Sequence, residues 1–509
     1  MLEFHTPMEA AAWLQSHMHG TLQSDSRRLG AGDGFLAWPG GRSDGREQVA
    51  AALAQGAAAC LVECVGAERF AFGDERVAAY TNLKSASGAI AAEVFGQPSQ
   101  HLCVLAVTGT NGKTSTVWWL AQALSCLKGA PLLPCAMVGT LGAGAQGERL
   151  ATGLTTPDSV QLQQLLRHFV DRGVKVCALE ASSIGLVEQR LAGCQIQCAI
   201  FTNFTQDHLD YHASMQAYWQ AKRQLFQWPG LQAAVINIDD PQGAGLAREL
   251  EDGTLDLWTV SCNQDARLQA RDIRHEAQGL CFTLLERSGS GGAPGASQAL
   301  QTKLIGRYNV SNLLGVIAAM RSLGVPLAAV VDACSDLAPV PGRMECFGQA
   351  HQPLVAVDYA HTPDALMQAL LALQPICQQR GGQLWCVFGC GGERDASKRP
   401  LMGAIAARHA DRVVVTSDNP RAEKPEAIIS QILLGLSGHL AVIVEPDRAQ
   451  AIALALAQAR AQDVVLVAGK GHEDYQEVTG QRLVFSDQEQ VRQALRHWSA
   501  PERMEALHE

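Results

Sequence analysis

Apolar and polar positions alternate along this chain in two rhythms. From residue 101 onward, short apolar runs such as "HLCVLAVTG", "KVCALE", "CAIFTNF" and "AAVINID" are separated by longer stretches with helical spacing. Runs of this length read as strands buried on both faces, and their alternation with helical patterns predicts an α/β fold with a mainly parallel sheet. The rhythm returns after "APVPGRME", where "LVAVDYAHTP", "LWCVFGCGGERD", "RVVVTSDNPR" and "VVLVAGKGHED" each end in a polar cluster. Ligands of open α/β sheets bind outside the carboxyl ends of the strands, so these four clusters are expected to meet in one crevice.

Residues 1–98 mix short strand-like and helix-like pieces and finish in the turn-rich "FGQPSQ". Three domains follow from these breaks: 1–98, 99–337 and 338–509. The Gly-rich stretch at 287–298, "RSGSGGAPGASQ", reads as a surface loop between two strands. No tandem repeat of 20 to 50 residues is visible.

A chain of 509 residues with 47% hydrophobic content has room for three cores. Its net charge of -10 argues against a nucleic acid groove or an anionic membrane surface, and leaves small molecules as the expected partners. The start, "MLEFHTPMEAAAWLQS", lacks a basic segment followed by an apolar core, and no run of 18 apolar residues occurs later. A cytoplasmic protein without membrane insertion is expected. The 15 cysteines are odd in number, sit in apolar runs and include no CxxC pair. They read as reduced core thiols, since the spacings Cys194/Cys198 and Cys386/Cys390 lack matching ligands for structural zinc.

Candidate chemistry begins at "LAVTGTNGKTSTVWWL", a buried strand leading through Gly109, Thr110, Asn111 and Gly112 into a helix with apolar Val117, Leu120, Ala121 and Leu124. Backbone amides of such a loop cradle phosphates, Lys113 reaches the terminal ones, and Thr114, followed by Ser115, offers a hydroxyl to Mg2+. Val107 holds the first glycine position of the usual pattern, so the loop is a variant. Glu180 ends the run "CALE" and His208 follows "CAIFTNF"; each reads either as a metal ligand or as an ordinary cap or surface residue. In "MQAYWQAKRQLFQW", Lys222 falls on the apolar stripe of Met215, Tyr218, Trp219, Leu225 and Phe226. It either snorkels to water or sits dehydrated as a neutral amine able to take up CO2 as a carbamate.

Taken together, "TGTNGKT", "EASS", "DHLDYH", "YWQAK", "NVSN", "PVPGRME", "VDYAHTP" and "GKGHE", with "SDSRRLGAGDGFLA" near the start, resemble the Mur ligase family. These are ATP-dependent amide-forming enzymes of peptidoglycan precursor synthesis. The resemblance spans nearly the whole chain. It implies an N-terminal UDP-binding domain, a central P-loop-type ATPase and a C-terminal Rossmann-like domain, in a monomer that uses ATP and Mg2+. By the same resemblance Lys113 and Thr114 hold ATP and Mg2+, and Glu180, His208 and carbamylated Lys222 bind metal. Asn309 contacts adenine, Arg343 the phosphates and Asp358 the ribose, with His361 a weaker candidate. Ser26 faces the uridine, and Thr155, Thr156, Ser182 and Arg190 face the muramoyl peptide.

Within the family, "TSDNPR" is similar to members that join meso-diaminopimelate to UDP-N-acetylmuramoyl-L-Ala-D-Glu. Arg421 is suited to grip the carboxylate that distinguishes diaminopimelate from lysine. Asp418, Asn419 and Pro420, with Arg394, Gly469 and Glu473, complete that end. Ile184 stands where many relatives carry histidine. Two alternatives stay open from sequence: a folylpolyglutamate synthetase, opposed by "SDSR" and "DNPR", and a nucleotide-gated binding protein that ligates nothing.

Overall fold

The computed structural model describes residues 1–41, 43–128, 131, 133–145, 147–276, 279–287, 294–438 and 441–500. Its strands form three larger sheets and one hairpin. The first sheet is all parallel, in the order Leu2–Phe4, Val77–Tyr80, Ala59–Glu63, Gly34–Ala37, Leu22–Gln23.

The second has ten strands. Seven central ones run parallel, in the order Leu268–Glu276, Asp256–Ser261, Ala233–Asn237, Cys198–Phe201, Cys103–Thr108, Val176–Glu180, Cys135–Gly139. Antiparallel strands close both edges: Gly142–Ala145 on one, and Gly279–Arg287 followed by Pro294–Thr302 on the other. Side chains alternate as the pleat demands. Leu105 and Val107 join one buried cluster with Trp119, Leu120 and Ile317, whereas Val104 and Ala106 join another with Leu166 and Phe169. Each fully buried side chain of this size contributes about 1.5–3 kcal/mol, so both faces commit this sheet to the interior.

The expected loop at 287–298 needs correction. Residues 288–293 lie outside the described residues, but Pro294–Gln298 belong to a strand paired with Gly279–Arg287. Small and polar residues have weak strand preference, and the ladder to a neighbouring strand overrides it. The helix carrying Lys222 also differs in length: it ends at Arg223, and Leu225 and Phe226 lie in a following 3-10 turn.

The third sheet orders Glu345–Phe347, Leu354–Asp358, Val464–Ala468, Leu384–Phe388, Arg412–Val415, Val442–Val444, all parallel except the first. The four strands whose sequence ends in polar clusters are therefore adjacent and aligned. An antiparallel hairpin, Tyr475–Val478 and Gln481–Val484, follows them. Among the described residues no helix is long and apolar enough to cross a membrane.

Candidate functional site

Register places the phosphate loop. Its strand is flanked on one side by the strand ending in Glu180, with Val107 opposite Glu180, and on the other by the strand ending in Phe201, opposite Thr108. The loop that follows hangs from the second neighbour: Thr110 N donates to Asn203 O at 2.8 Å and Asn111 N to Asn203 Oδ1 at 2.8 Å. Gly112 has φ +86, and a Cβ there would strike Asn312 Oδ1, so glycine is required on both counts. The helix Lys113–Ser125 then aims its N-terminus at a cavity of about 610 Å³.

Lys113 and Lys222 converge on one atom. Lys113 Nζ donates to Gly109 O at 2.8 Å and Thr110 O at 2.9 Å, and Lys222 Nζ donates to Gly109 O at 2.8 Å. Lys222 is 1% exposed and sits 4.4 Å from the centre of the Tyr218 ring. Burial, and then the nearby Lys113 charge, push its amine well below the usual lysine range. Burial also lowers Lys113, with Glu180 opposing.

Glu180 is 2% exposed, and its carboxylate accepts from Thr140 N at 2.8 Å, Thr114 Oγ1 at 3.1 Å and Thr140 Oγ1 at 3.3 Å. The residues expected to face the muramoyl peptide cluster behind it. Thr156 Oγ1 donates to Glu180 O at 2.7 Å and lies 2.9 Å from Ser182 Oγ, Arg190 Nη1 reaches Thr156 O at 3.0 Å, and Thr155 Oγ1 lies 3.0 Å from Thr140 Oγ1. Ser182 also caps the helix Ser183–Val187.

On the opposite wall, Arg343 lies 4.2 Å above the Tyr359 ring and extends Nη2 toward Thr114 Oγ1 at 3.5 Å. Asp358 is fixed by amides of Met344 at 2.7 Å and Ala360 at 2.8 Å; burial raises its carboxyl, with Arg343 opposing. Asp207 stands between two imidazoles, His208 Nε2 at 3.5 Å and His361 Nε2 at 3.8 Å. Burial opposes the charge of Asp207, but His361, His208 and Lys398 together outweigh it and hold the carboxyl far below the usual range. Burial lowers His208 to about 4.

The residues expected at the amino acid end form a separate, tightly wired cluster. Asn419 Nδ2 donates to Glu473 Oε2 at 2.8 Å, and Lys470 Nζ, fully buried, donates to both Asn419 Oδ1 and Glu473 Oε2 at 3.0 Å. Gln476 Nε2 holds Asp418 O at 2.7 Å. Arg421 has φ +53, a conformation costly for a side chain with a Cβ. The hairpin imposes it: Arg421 N donates to Glu477 O and Thr479 N to Arg421 O. Its guanidinium reaches Gly392 O at 2.6 Å and Glu477 Oε2 at 3.4 Å. Arg394 is paired with Asp210 at 3.0 Å.

The structure thus gathers Gly112, Lys113, Thr114, Ser115, Glu180, His208, Lys222, Arg343, Asp358 and His361 around one cavity, with Thr110, Asn111, Thr155 and Ser182. It does not bring every expected residue there. Asn309 lines a neighbouring cavity of about 340 Å³ with Trp119, Pro341 and Arg343, its amide donating to Ile305 O at 2.7 Å. Ser26 opens a short 3-10 turn outside the lining of the main cavity. Sequence reasoning passed over Thr140, Asp207 and Lys470. The last two are immediate neighbours of His208 and Gly469, and only folding shows which way their side chains turn.

Residues 107–320 match the Mur ligase middle domain, and residues 342–471 match the Mur ligase, glutamate ligase domain. The chain is 61% identical over 493 residues to "UDP-N-acetylmuramoyl-L-alanyl-D-glutamate--2,6-diaminopimelate ligase" of Acidovorax sp. (strain JS42), covering 96% of this chain and 97% of that one. The protein of the same name from Pseudomonas aeruginosa is 45% identical, covering 94% and 96%. A solved structure so named aligns with a TM-score of 0.63 at 37% identity over 94% of each chain. MurF from Thermotoga maritima in complex with ADP shares the fold, with a TM-score of 0.64 at 18% identity over 93% and 96%. With two domains matched in order and a relative this similar along almost its whole length, the chain belongs to the Mur ligase family.

Proposed function

We infer that this protein is an ATP-dependent amide ligase that joins meso-diaminopimelate to the D-Glu side-chain carboxylate of UDP-N-acetylmuramoyl-L-Ala-D-Glu, as a cytoplasmic monomer. The observation that carries the reading is the Asp418–Arg421 turn, wired through Asn419 to Glu473 and Lys470, in a chain whose 61% identical relative is named for this reaction. A planar guanidinium meets a carboxylate bidentately, and lysine lacks the second carboxylate of diaminopimelate.

Lys113 exchanges its own loop carbonyls for the terminal phosphates of ATP, while Arg343, held on Tyr359, faces them from the other wall. The D-Glu carboxylate oxygen attacks the γ-phosphorus, ADP leaves, and an acyl phosphate forms. The amine then attacks the activated carbonyl carbon, and the tetrahedral intermediate expels phosphate to leave the amide. Positioning and charge neutralisation carry both steps.

The residues suit Mg2+ in donor type. Among the described residues no three His, Cys, Asp or Glu side chains gather into a ready cage. The buried Glu180 carboxylate with the Thr114 hydroxyl leaves room for substrate phosphates, which is how this ion is commonly held. Thr114, Glu180, His208 and Lys222 as its carbamate are the proposed ligands. Bound there, Mg2+ supplies charge neutralisation for phosphate oxygens. Lys222 is suited to carbamylation because burial and Lys113 favour its neutral amine.

Ligation assays with the UDP-muramoyl dipeptide and either diaminopimelate or L-lysine test the reading. We expect at least ~10³-fold preference for diaminopimelate. Arg421→Ala is expected to lower kcat/KM for diaminopimelate about 10- to 100-fold, the worth of a charged hydrogen-bonded contact. Equal use of lysine would discard the specificity, and nucleotide hydrolysis without any amide product would discard the ligase.

A further inference from the structure

Behind the amino acid end lies an ion pair that the reaction scheme leaves unused. Arg448 and Asp487 are both 0% exposed, the only such pair among the described residues. Arg448 Nε donates to Asp487 Oδ1 at 2.8 Å and Nη2 to Asp487 Oδ2 at 2.7 Å. The remaining edge of the guanidinium is spent on two backbone carbonyls, Ser417 O at 3.2 Å from Nη1 and Ala468 O at 2.9 Å from Nη2.

These two carbonyls are not arbitrary. Ser417 immediately precedes the Asp418–Arg421 turn, and Ala468 immediately precedes Gly469 and the segment that carries Glu473. The two segments touch: Gly469 has φ +119, and a Cβ there would strike Asp418 Oδ2. Helix stability does not explain the arginine, which occupies the first turn of Arg448–Gln458, where a cation opposes the helix dipole. Asp487, first residue of the helix Asp487–Arg496, sits where the dipole favours an anion and compensates it. Burying both charges strips each of its hydration before their attraction is counted, and apolar side chains would fill the space as well. What apolar side chains cannot do is hold two loop origins by their carbonyls.

We propose that Arg448, oriented by Asp487, is a positioning residue that fixes the spacing of the Asp418–Arg421 turn and the Gly469–Glu473 segment and thereby sets discrimination between diaminopimelate and lysine. The inference rests on the ligase reading above. Lysine at 448 keeps the charge, but a point donor cannot span Asp487 and both carbonyls. Leucine at both 448 and 487 removes the buried charges together and leaves neither unpaired.

The test compares the full-length protein with Arg448→Lys and Arg448→Leu/Asp487→Leu, measuring KM for diaminopimelate and ATP, the kcat/KM ratio of diaminopimelate to L-lysine, and the melting temperature. Both variants are expected to raise KM for diaminopimelate at least tenfold, to lower the selectivity ratio at least tenfold, and to leave KM for ATP within about twofold. General loosening does not change a ratio between two amino acids in that way. An unchanged ratio in variants that still ligate overturns the positioning role and makes the pair purely structural. Should the leucine pair not fold, Arg448→Lys decides by the same ratio. Absence of product from the unaltered protein overturns the ligase reading as well, whereas product with unaltered selectivity in the variants overturns only this one.

Discussion

At the scale of single residues, the site works by forcing charges into places where water would otherwise screen them. Two lysines share the Gly109 carbonyl, and burial together with the Lys113 charge pushes the amine of the more deeply held one, Lys222, well below the usual lysine range. His472 answers the same pressure. Arg343 Nη1 donates to its Nδ1 at 3.2 Å, an arrangement that needs this nitrogen unprotonated. Burial first, then Arg343 and Lys470, lower it to about 3. In the unfolded chain it titrates near 6.5. Between those values the unfolded state binds more protons, so stability falls as pH drops from about 6.5 toward 3, by at most ~1.4 kcal/mol per pH unit. His472→Gln keeps an acceptor for Arg343 and is expected to flatten the decline of melting temperature between pH 6.5 and 4. Equal slopes for the two proteins would remove His472 from this account. The motif "GKGHE" marks the place, but nothing in its letters shows that the imidazole packs beside both Arg343 and the Tyr359 ring.

At the scale of elements, strand ends were legible because both rhythms are periodic: a buried parallel strand is a run of apolar residues, and its exit must be polar. The phosphate loop, Glu180 and the four C-terminal clusters could therefore be placed before folding. The antiparallel ladder at the sheet edge could not, since Pro294–Gln298 is held by pairing and carries little preference of its own. Asn309 shows the other limit: it lies within the helix Arg307–Ser322, and its side chain turns to Ile305 O and a neighbouring cavity. Gly112 tests the strand, loop and helix unit directly. Its φ of +86 is strained for any other residue, and Asn312 occupies the space a Cβ needs. Gly112→Ala is expected to cost roughly 1–3 kcal/mol of stability and to raise KM for ATP at least tenfold. An unchanged KM would mean that the backbone of this loop does not cradle the nucleotide.

At the scale of the molecule, the phosphate loop and the residues proposed for the amino acid end are built on different sheets, and beside the apolar packing of Ile305 and Tyr308 on the third-sheet core, several contacts near the site are polar. Asn111 donates to Asp364 at 3.2 Å, Gln206 to Asp395 at 3.0 Å, Arg394 to Asp210 at 3.0 Å, and Asp207 faces His361. The Arg394 and Asp210 side chains are 47% and 29% exposed, so their pair contributes about 0–1 kcal/mol and is screened by salt. Bridges of this kind break and re-form without the cost of exposing a core. In the proposed reaction the acyl phosphate forms at one sheet and the amine is held at the other, and Arg394 has to exchange Asp210 for substrate if it is to serve the amino acid. Closure on binding is therefore expected to depend on ligand. Small-angle scattering should show a smaller radius of gyration with a nonhydrolysable ATP analogue and the UDP-muramoyl dipeptide than without them. Asp210→Ala, which frees Arg394, should lower KM for diaminopimelate by no more than about fivefold, the limit set by a surface ion pair. Identical scattering profiles with and without ligands would show that the two sheets already stand at their working distance, and that the polar bridges fix the enzyme closed.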